Sequence, residues 1–164
     1  MIALRAVEHT DGDWIFEACQ DSAIQRWTRV PRPYLQSHAE EFVAGATAEL
    51  FRWVIANEGR PIGLIGVHSI DPAAGVAEIG YWVAPWGRGQ RAVSTAIGLV
   101  IAELLAHTEA TGVSAIIAEG NAASRRSAER AGLTVSERRP DGCHDGDAPT
   151  MALVYRLDFS RPSS

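Results

Sequence analysis

The spacing of the apolar segments between residues 51 and 118 constrains this chain most. Three runs of strand character, residues 51–56, 61–70 and 76–83, are separated only by the short turns 57–59 and 71–75. Connections of that length cannot carry a crossover, so the three runs pair as an antiparallel meander. After residue 83 the period changes. Val93, Ile97, Val100, Ile101, Leu104 and Leu105 recur at helical spacing within residues 90–108, and a further apolar run occupies residues 113–118. A strand, a long helix and a second strand form the crossover that joins parallel neighbours.

The flanking regions extend this pattern. Residues 2–7 alternate as a strand. Residues 11–20 read as a helix with an aspartate cap and Trp14, Ile15 and Ala18 on one face. TRVPRPYLQS, residues 28–37, breaks regular structure at Pro31 and Pro33. A second helix spans residues 37–50, opened by a Ser37/Glu40 capping box. Residues 122–130 form the last helix, and residues 133–138 and 151–159 are strands. The predicted order is β-α-α-β-β-β-α-β-α-β-β. That is an α+β fold: one domain over residues 1–160, with a mixed, mostly antiparallel sheet of about seven strands and about four helices. Residues 161–164 are expected to be a frayed tail.

Composition narrows the functional classes. The formal net charge of −5 argues against a nucleic-acid partner. No apolar run is long enough to cross a bilayer, and the N-terminal residues lack the apolar core of a signal peptide. Cys19 and Cys143 are too few and too far apart for a disulfide scaffold, which favours a reducing, cytoplasmic setting. No spacing of His, Cys, Asp or Glu suggests a metal site. In DGCHDGD, residues 141–147, the acids fit neither a calcium loop nor a zinc set. That stretch reads as a solvated loop whose acids could attract a cationic amine. His9, His38, His68 and His107 suggest no shared site.

The chemistry concentrates in AEIGYWVAPWGRGQRAVSTAI, residues 77–97. Gly87, Gly89 and Ala92 satisfy G-x-G-x-x-A, a dinucleotide fingerprint. However, the antiparallel strands before it disfavour that reading, as does the nearest strand-end acid, Glu119, which comes later than the twenty or so residues the fingerprint wants. A plain strand-to-helix turn is a second reading. The third is an anion cradle, in which the N–H groups at a helix N-terminus face a phosphate and Arg88 adds a permanent cation.

Several motifs resemble the GNAT superfamily of N-acetyltransferases, in particular the branch similar to the enzymes that acetylate ribosomal-protein N-termini. Glu78, Ile79, Gly80, Tyr81 and Trp82 match its E-I-G-Y-W strand. Arg88, Gly89 and Gln90 match the start of its R-G-x-G-x-A loop. Asn121, Ser124, Ala128, Glu129 and Gly132 match N-x-x-S-x-x-x-A-E-x-x-G, and IQRWT at residues 24–28 is also similar. The resemblance implies acetyl-CoA as donor, a primary amine as acceptor (a protein N-terminus or a small amine), no metal, and a homodimer as a possible assembly. It implies donor contacts at Trp82, Val83, Arg88, Gly89, Gln90, Arg91, Ala92, Val93, Asn121 and Ser124. It also implies a backbone N–H at Gly80 or at Trp82–Val83 facing the thioester. Glu78 stands where several members keep a base, and Ser124 where this branch keeps a serine near the sulfur. The tyrosine used elsewhere in the superfamily is replaced by Ala128. Trp27, Tyr34 and Glu78, with Trp86, are candidates to line the acceptor pocket.

The chain departs from the pattern at Arg91, which replaces the second loop glycine, and at Val93, which replaces a smaller residue. Arg91 is therefore either a second phosphate clamp or a side chain that blocks the donor. The second possibility implies a repurposed, non-catalytic protein.

Overall fold

A computed structural model of the chain describes residues 1–45 and 49–160. Among these residues, seven strands form one sheet in the order β1-β2-β3-β4-β5-β7-β6. The strands are β1 (Ile2–Ala6), β2 (Phe51–Asn57), β3 (Arg60–Ile70), β4 (Val76–Val83), β5 (Gly112–Ala118), β6 (Thr134–Asp145) and β7 (Ala148–Asp158). The helices are α1 (Gly12–Ala18), α2 (Ser22–Trp27), α3 (Gln36–Val43), α4 (Ala92–His107) and α5 (Ala122–Arg130). The meander β2-β3-β4 is antiparallel, and β4 and β5 are the parallel pair joined by α4. The frayed-tail expectation lies outside the described residues.

The sheet carries a helical layer on each face. The larger core packs α4 and α5 on the sheet, with Ile65, Val67, Ile97, Val100, Leu104 and Tyr155 among its buried members. Each such side chain contributes about 1.5–3 kcal/mol by leaving water. The smaller core packs α1–α3 on the other face through Ile15, Ile24, Tyr34, Val54 and Leu64. Side chains alternate across a strand. β4 therefore gives Ile79, Tyr81 and Val83 to the first core and Trp82 to the second.

Four local expectations are corrected. A helix, α2, occupies residues before the proline segment, with Asp21 as its N-cap accepting from Ile24 N–H at 3.0 Å. Asp11 does not cap α1. Its carboxylate accepts from Arg5, the Trp14 indole and Glu8 N–H instead, and these donors hold it below the usual carboxylate range although burial opposes them. Helix α3 is shorter than expected and ends at Val43, where Gly45 (φ 86°) takes the left-handed conformation that closes helices; residues 46–48 of the expected helix lie outside the described residues. Its cap is His38 Nδ1, which accepts from Leu35 N–H at 2.9 Å, rather than Ser37.

The fourth correction concerns residues 141–147. β6 runs on to Asp145, so most of this stretch is strand and only the turn before Ala148 is loop. Pro140 sits in a register shift between Arg139 and Cys143 on an edge strand, where a missing N–H is tolerated.

Candidate functional site

β4 and β5 are paired only at Val76↔Gly112, Ala77↔Val113 and Glu78↔Ser114. Beyond Glu78 the two strands splay apart, and Ile79–Val83 and 115–118 line the opening. This opening is the floor of a cleft of about 1180 Å³. On its other side β4 stays in register with β3. Ala84 N–H donates to Ile62 O at 2.8 Å. Antiparallel ladders alternate, so Gly80 and Trp82 direct their N–H groups at β3, while Ile79, Tyr81 and Val83 direct theirs into the splay. Of the backbone donors expected at Gly80 and Trp82–Val83, Val83 is the one aimed at the cleft.

The loop after β4 makes one turn of 3₁₀ helix, Pro85–Gly87, and then enters α4. A Cβ at Gly87 would fall 2.6 Å from Ile62 Cβ and 2.8 Å from Ile62 O, so only glycine fits. Arg91 takes the left-handed conformation, φ 54° and ψ 22°, at the N-cap of α4. It therefore keeps the backbone shape that a glycine would supply, at a cost of about 1–2 kcal/mol. No side chain caps this helix, so its first N–H groups are left for solvent or a ligand. Ala92 and Val93 are buried at 3% and 7% exposure and bring backbone, not side chains, to the rim.

The two arginines of the loop divide. Arg88 Nη2 is ion-paired with Asp21 Oδ2 at 2.5 Å, across to the N-cap of α2. Desolvation raises the Asp21 carboxyl and Arg88 lowers it, with the net result below its ordinary range. Arg91 is exposed and, among the described residues, makes no side-chain hydrogen bond or ion pair. Gln90 turns away: its oxygen accepts from Asn57 Nδ2 at 2.7 Å and its nitrogen donates to Trp86 O. Gly89 stands over open space. An uncapped helix start with a free guanidinium beside it fits the pyrophosphate of acetyl-CoA. Arg91 and the N–H groups of Ala92 and Val93 would hold it.

On the α4–α5 face of the splay, Asn121 caps α5 by accepting from Ser124 N–H at 3.3 Å. Ser124 Oγ donates to Tyr81 Oη at 3.0 Å, and Tyr81 Oη donates to Ser124 O at 3.2 Å. Burial pushes the Tyr81 phenol up to about 12, partly offset by Ser124. A tyrosine hydroxyl thus stands beside Ser124 although Ala128 holds the helix position that carries a tyrosine elsewhere in the superfamily. Tyr81 was missed because it arrives from a strand 43 residues away; its place next to the Glu78–Gly80 motif was the available signal.

On the α1–α3 face, Glu78 lies at the vertex of the splay, half-buried and within electrostatic reach of Arg139. Trp82 packs against Trp14 with ring centroids 5.8 Å apart. Trp27 reaches across the opening, where its ring lies 3.2 Å from the position of a Cβ on Gly120. Tyr34 is buried at 6% exposure with its hydroxyl bonded to Cys19, so it supports the wall. Trp86 lies away from the cleft, donating to Pro61 O at 3.0 Å.

The acids of residues 141–147 are largely committed. Asp145 binds Arg26, and Asp147 binds Arg32 at 2.7 Å. Burial raises the Cys143 thiol, which disfavours a nucleophilic role. Among the described residues no group of three or more potential metal ligands comes together, and no helix is long and apolar enough to cross a membrane.

Residues 2–134 match the acetyltransferase (GNAT) domain family. YdaF of Bacillus subtilis (strain 168), provisionally named a ribosomal N-acetyltransferase, is 31% identical over 100 residues, covering 61% of this chain and about half (55%) of the relative. Two solved structures share the fold. RimL, the ribosomal L7/L12 alpha-N-protein acetyltransferase in complex with coenzyme A, superposes with a TM-score of 0.85 at 16% identity, over 96% of this chain and 94% of its own. The spermidine N-acetyltransferase from Vibrio cholerae with CoA and spermine gives 0.82 at 18% identity, over 98% and 96%. The fold and the family match agree, and the chain belongs to the GNAT family of acetyltransferases.

Proposed function

We propose that this protein transfers an acetyl group from acetyl-CoA to a primary amine, by direct attack in a ternary complex. The observation that carries the reading is the splay itself: an unpaired β4 edge running into an uncapped helix start. Five residues of extended strand separate Glu78 from Val83, about 16 Å. A donor anchored at the start of α4 can therefore lay its arm along β4 and present its acyl end near Gly80.

Acetyl-CoA supplies the activated acyl group; the remaining roles fall to the chain. Arg91 and the N–H groups of Ala92 and Val93 receive the pyrophosphate, with Arg88, Gly89 and Gln90 shaping the loop and Asn121 flanking the arm. Along the free edge of β4 the N–H groups donate to carbonyl oxygens, Val83 toward the arm of the donor and Ile79 and Tyr81 at its acyl end. Glu78 draws the ammonium to the vertex of the splay and accepts from it, directly or through water. Ser124, supported by Tyr81, stabilises the departing thiolate by hydrogen bonding. The acceptor is a protein N-terminus or a small amine, the kinds of acceptor named for the relatives above.

The exposure of Arg91 supports a clamp over a block, because a blocking side chain would be folded into the cleft. Isothermal titration tests the reading: micromolar binding of acetyl-CoA is expected. No binding of acetyl-CoA or CoA at millimolar concentration would overturn it.

A further inference from the structure

His68 lies on the cleft side of β3, at the bulge where the β3–β4 register shifts between Val67 and Ser69. Its ring lies across Gly80. A Cβ there would stand 2.3 Å from His68 Nε2, so glycine at this position is what lets the imidazole reach the splay. The other nitrogen, Nδ1, faces Glu49 Oε1 at 3.8 Å. The His68 side chain is 44% exposed and that of Glu49 23%. One end of the ring is therefore aimed at the level where the acyl group would lie, and the other faces a carboxylate at ion-pair rather than hydrogen-bond distance. That is the base-and-orienter arrangement of general-base catalysis.

We propose, resting on the acetyl-transfer reading, that His68 Nε2 takes the proton of the acceptor amine, with Glu49 as a positioning residue and Glu78 holding the ammonium beside it. The balance is simple. The ammonium gives one proton to Nε2, and the freed nitrogen lone pair forms the C–N bond. The C–S bond breaks and its electrons go to sulfur. A second proton from nitrogen ends on sulfur, and His68 releases the first to solvent. Among the described residues, charged groups that line the cleft with His68 include Glu41 of α3, Glu49 before β2, Arg52 of β2 and Glu78 of β4, and Arg139 of β6 lies within electrostatic reach of Glu78. Arg52 is occupied with Phe42 O and Val43 O and lies over the Phe42 ring. An imidazolium formed here meets carboxylates.

The test uses the full chain, acetyl-CoA, and two amine probes, spermidine and a short peptide with an N-terminal serine. CoA release is followed against pH, and CoA affinity is measured by calorimetry. His68→Gln should lower kcat about 100-fold with CoA affinity within about twofold, and should remove the acidic limb of the pH profile. Glu49→Gln should lower kcat about tenfold while leaving KM for the amine and CoA affinity unchanged. Glu78→Gln should raise KM for the amine and leave the limb in place. A fully active His68→Gln variant, or a limb lost in Glu78→Gln instead, overturns the proposal while leaving acetyl transfer standing. A wild-type chain that acetylates neither probe overturns the acetyl-transfer reading for these amines and the proposal with it.

Discussion

Two helices begin at the cleft, and they begin differently. α5 is closed by its own sequence: Asn121 turns its carboxamide oxygen back onto Ser124 N–H. α4 is left open, since Arg91 cannot accept a hydrogen bond and stands at φ 54° in its N-cap position. The first arrangement spends a side chain on local stability, about 1 kcal/mol. The second forgoes that gain and adds backbone strain of similar size. Such an expense in the wall of a cleft is understandable where the exposed N–H groups meet an anionic ligand.

The sharpest way to break the contrast is to reverse the charge at the open start. Arg91→Asp should weaken CoA binding about 100-fold, equivalent to about 2.7 kcal/mol, with little loss of thermal stability; calorimetry and a melting curve measure both. Removing the closure at the other start should do the opposite. Asn121→Ala should cost about 1 kcal/mol of stability in urea unfolding and weaken CoA binding only a few-fold. A smaller change in stability than that of Asn121→Ala is expected from Arg91→Gly. Relief of the left-handed strain should stabilise the fold by about 0.5–1 kcal/mol, while loss of the cation should weaken CoA binding about tenfold. Tighter binding by that variant would mean that the arginine obstructs the donor.

The parts of this site that could be read from the sequence are those that depend on local spacing. The β4–loop–α4 passage and the Asn121 cap each lie within a few residues of chain, and their turn and capping chemistry is explicit. The Tyr81–Ser124 pair and the His68–Glu49 pair are different, because strand register and a bulge bring them together. No periodicity announces a contact of that kind. The ion pair of Arg88 was hidden for the same reason, since its partner Asp21 is 67 residues away. α2 went unread because six residues show less than two turns of periodicity. The end of β6 was disguised by Pro140, by Asp141 at φ 56° and by Gly142, which together imitate a turn.

The grip of the β6–β7 turn on α2 has a consequence for how such a protein can diversify. Arg26 binds Asp145, Gly146 N–H donates to Arg26 O at 3.0 Å, and Arg32 binds Asp147. The helix that carries Trp27 over the opening is thus fastened to a hairpin tip more than a hundred residues further along the chain. That tip contributes nothing to the β4 edge, the α4 start or the hydroxyl pair beneath them. A change in its length or charge would be felt by α2, which also reaches the loop before α4 through the Asp21–Arg88 ion pair. On the acetyl-transfer reading proposed above, a change at that tip would reach the acceptor side of the opening through Trp27.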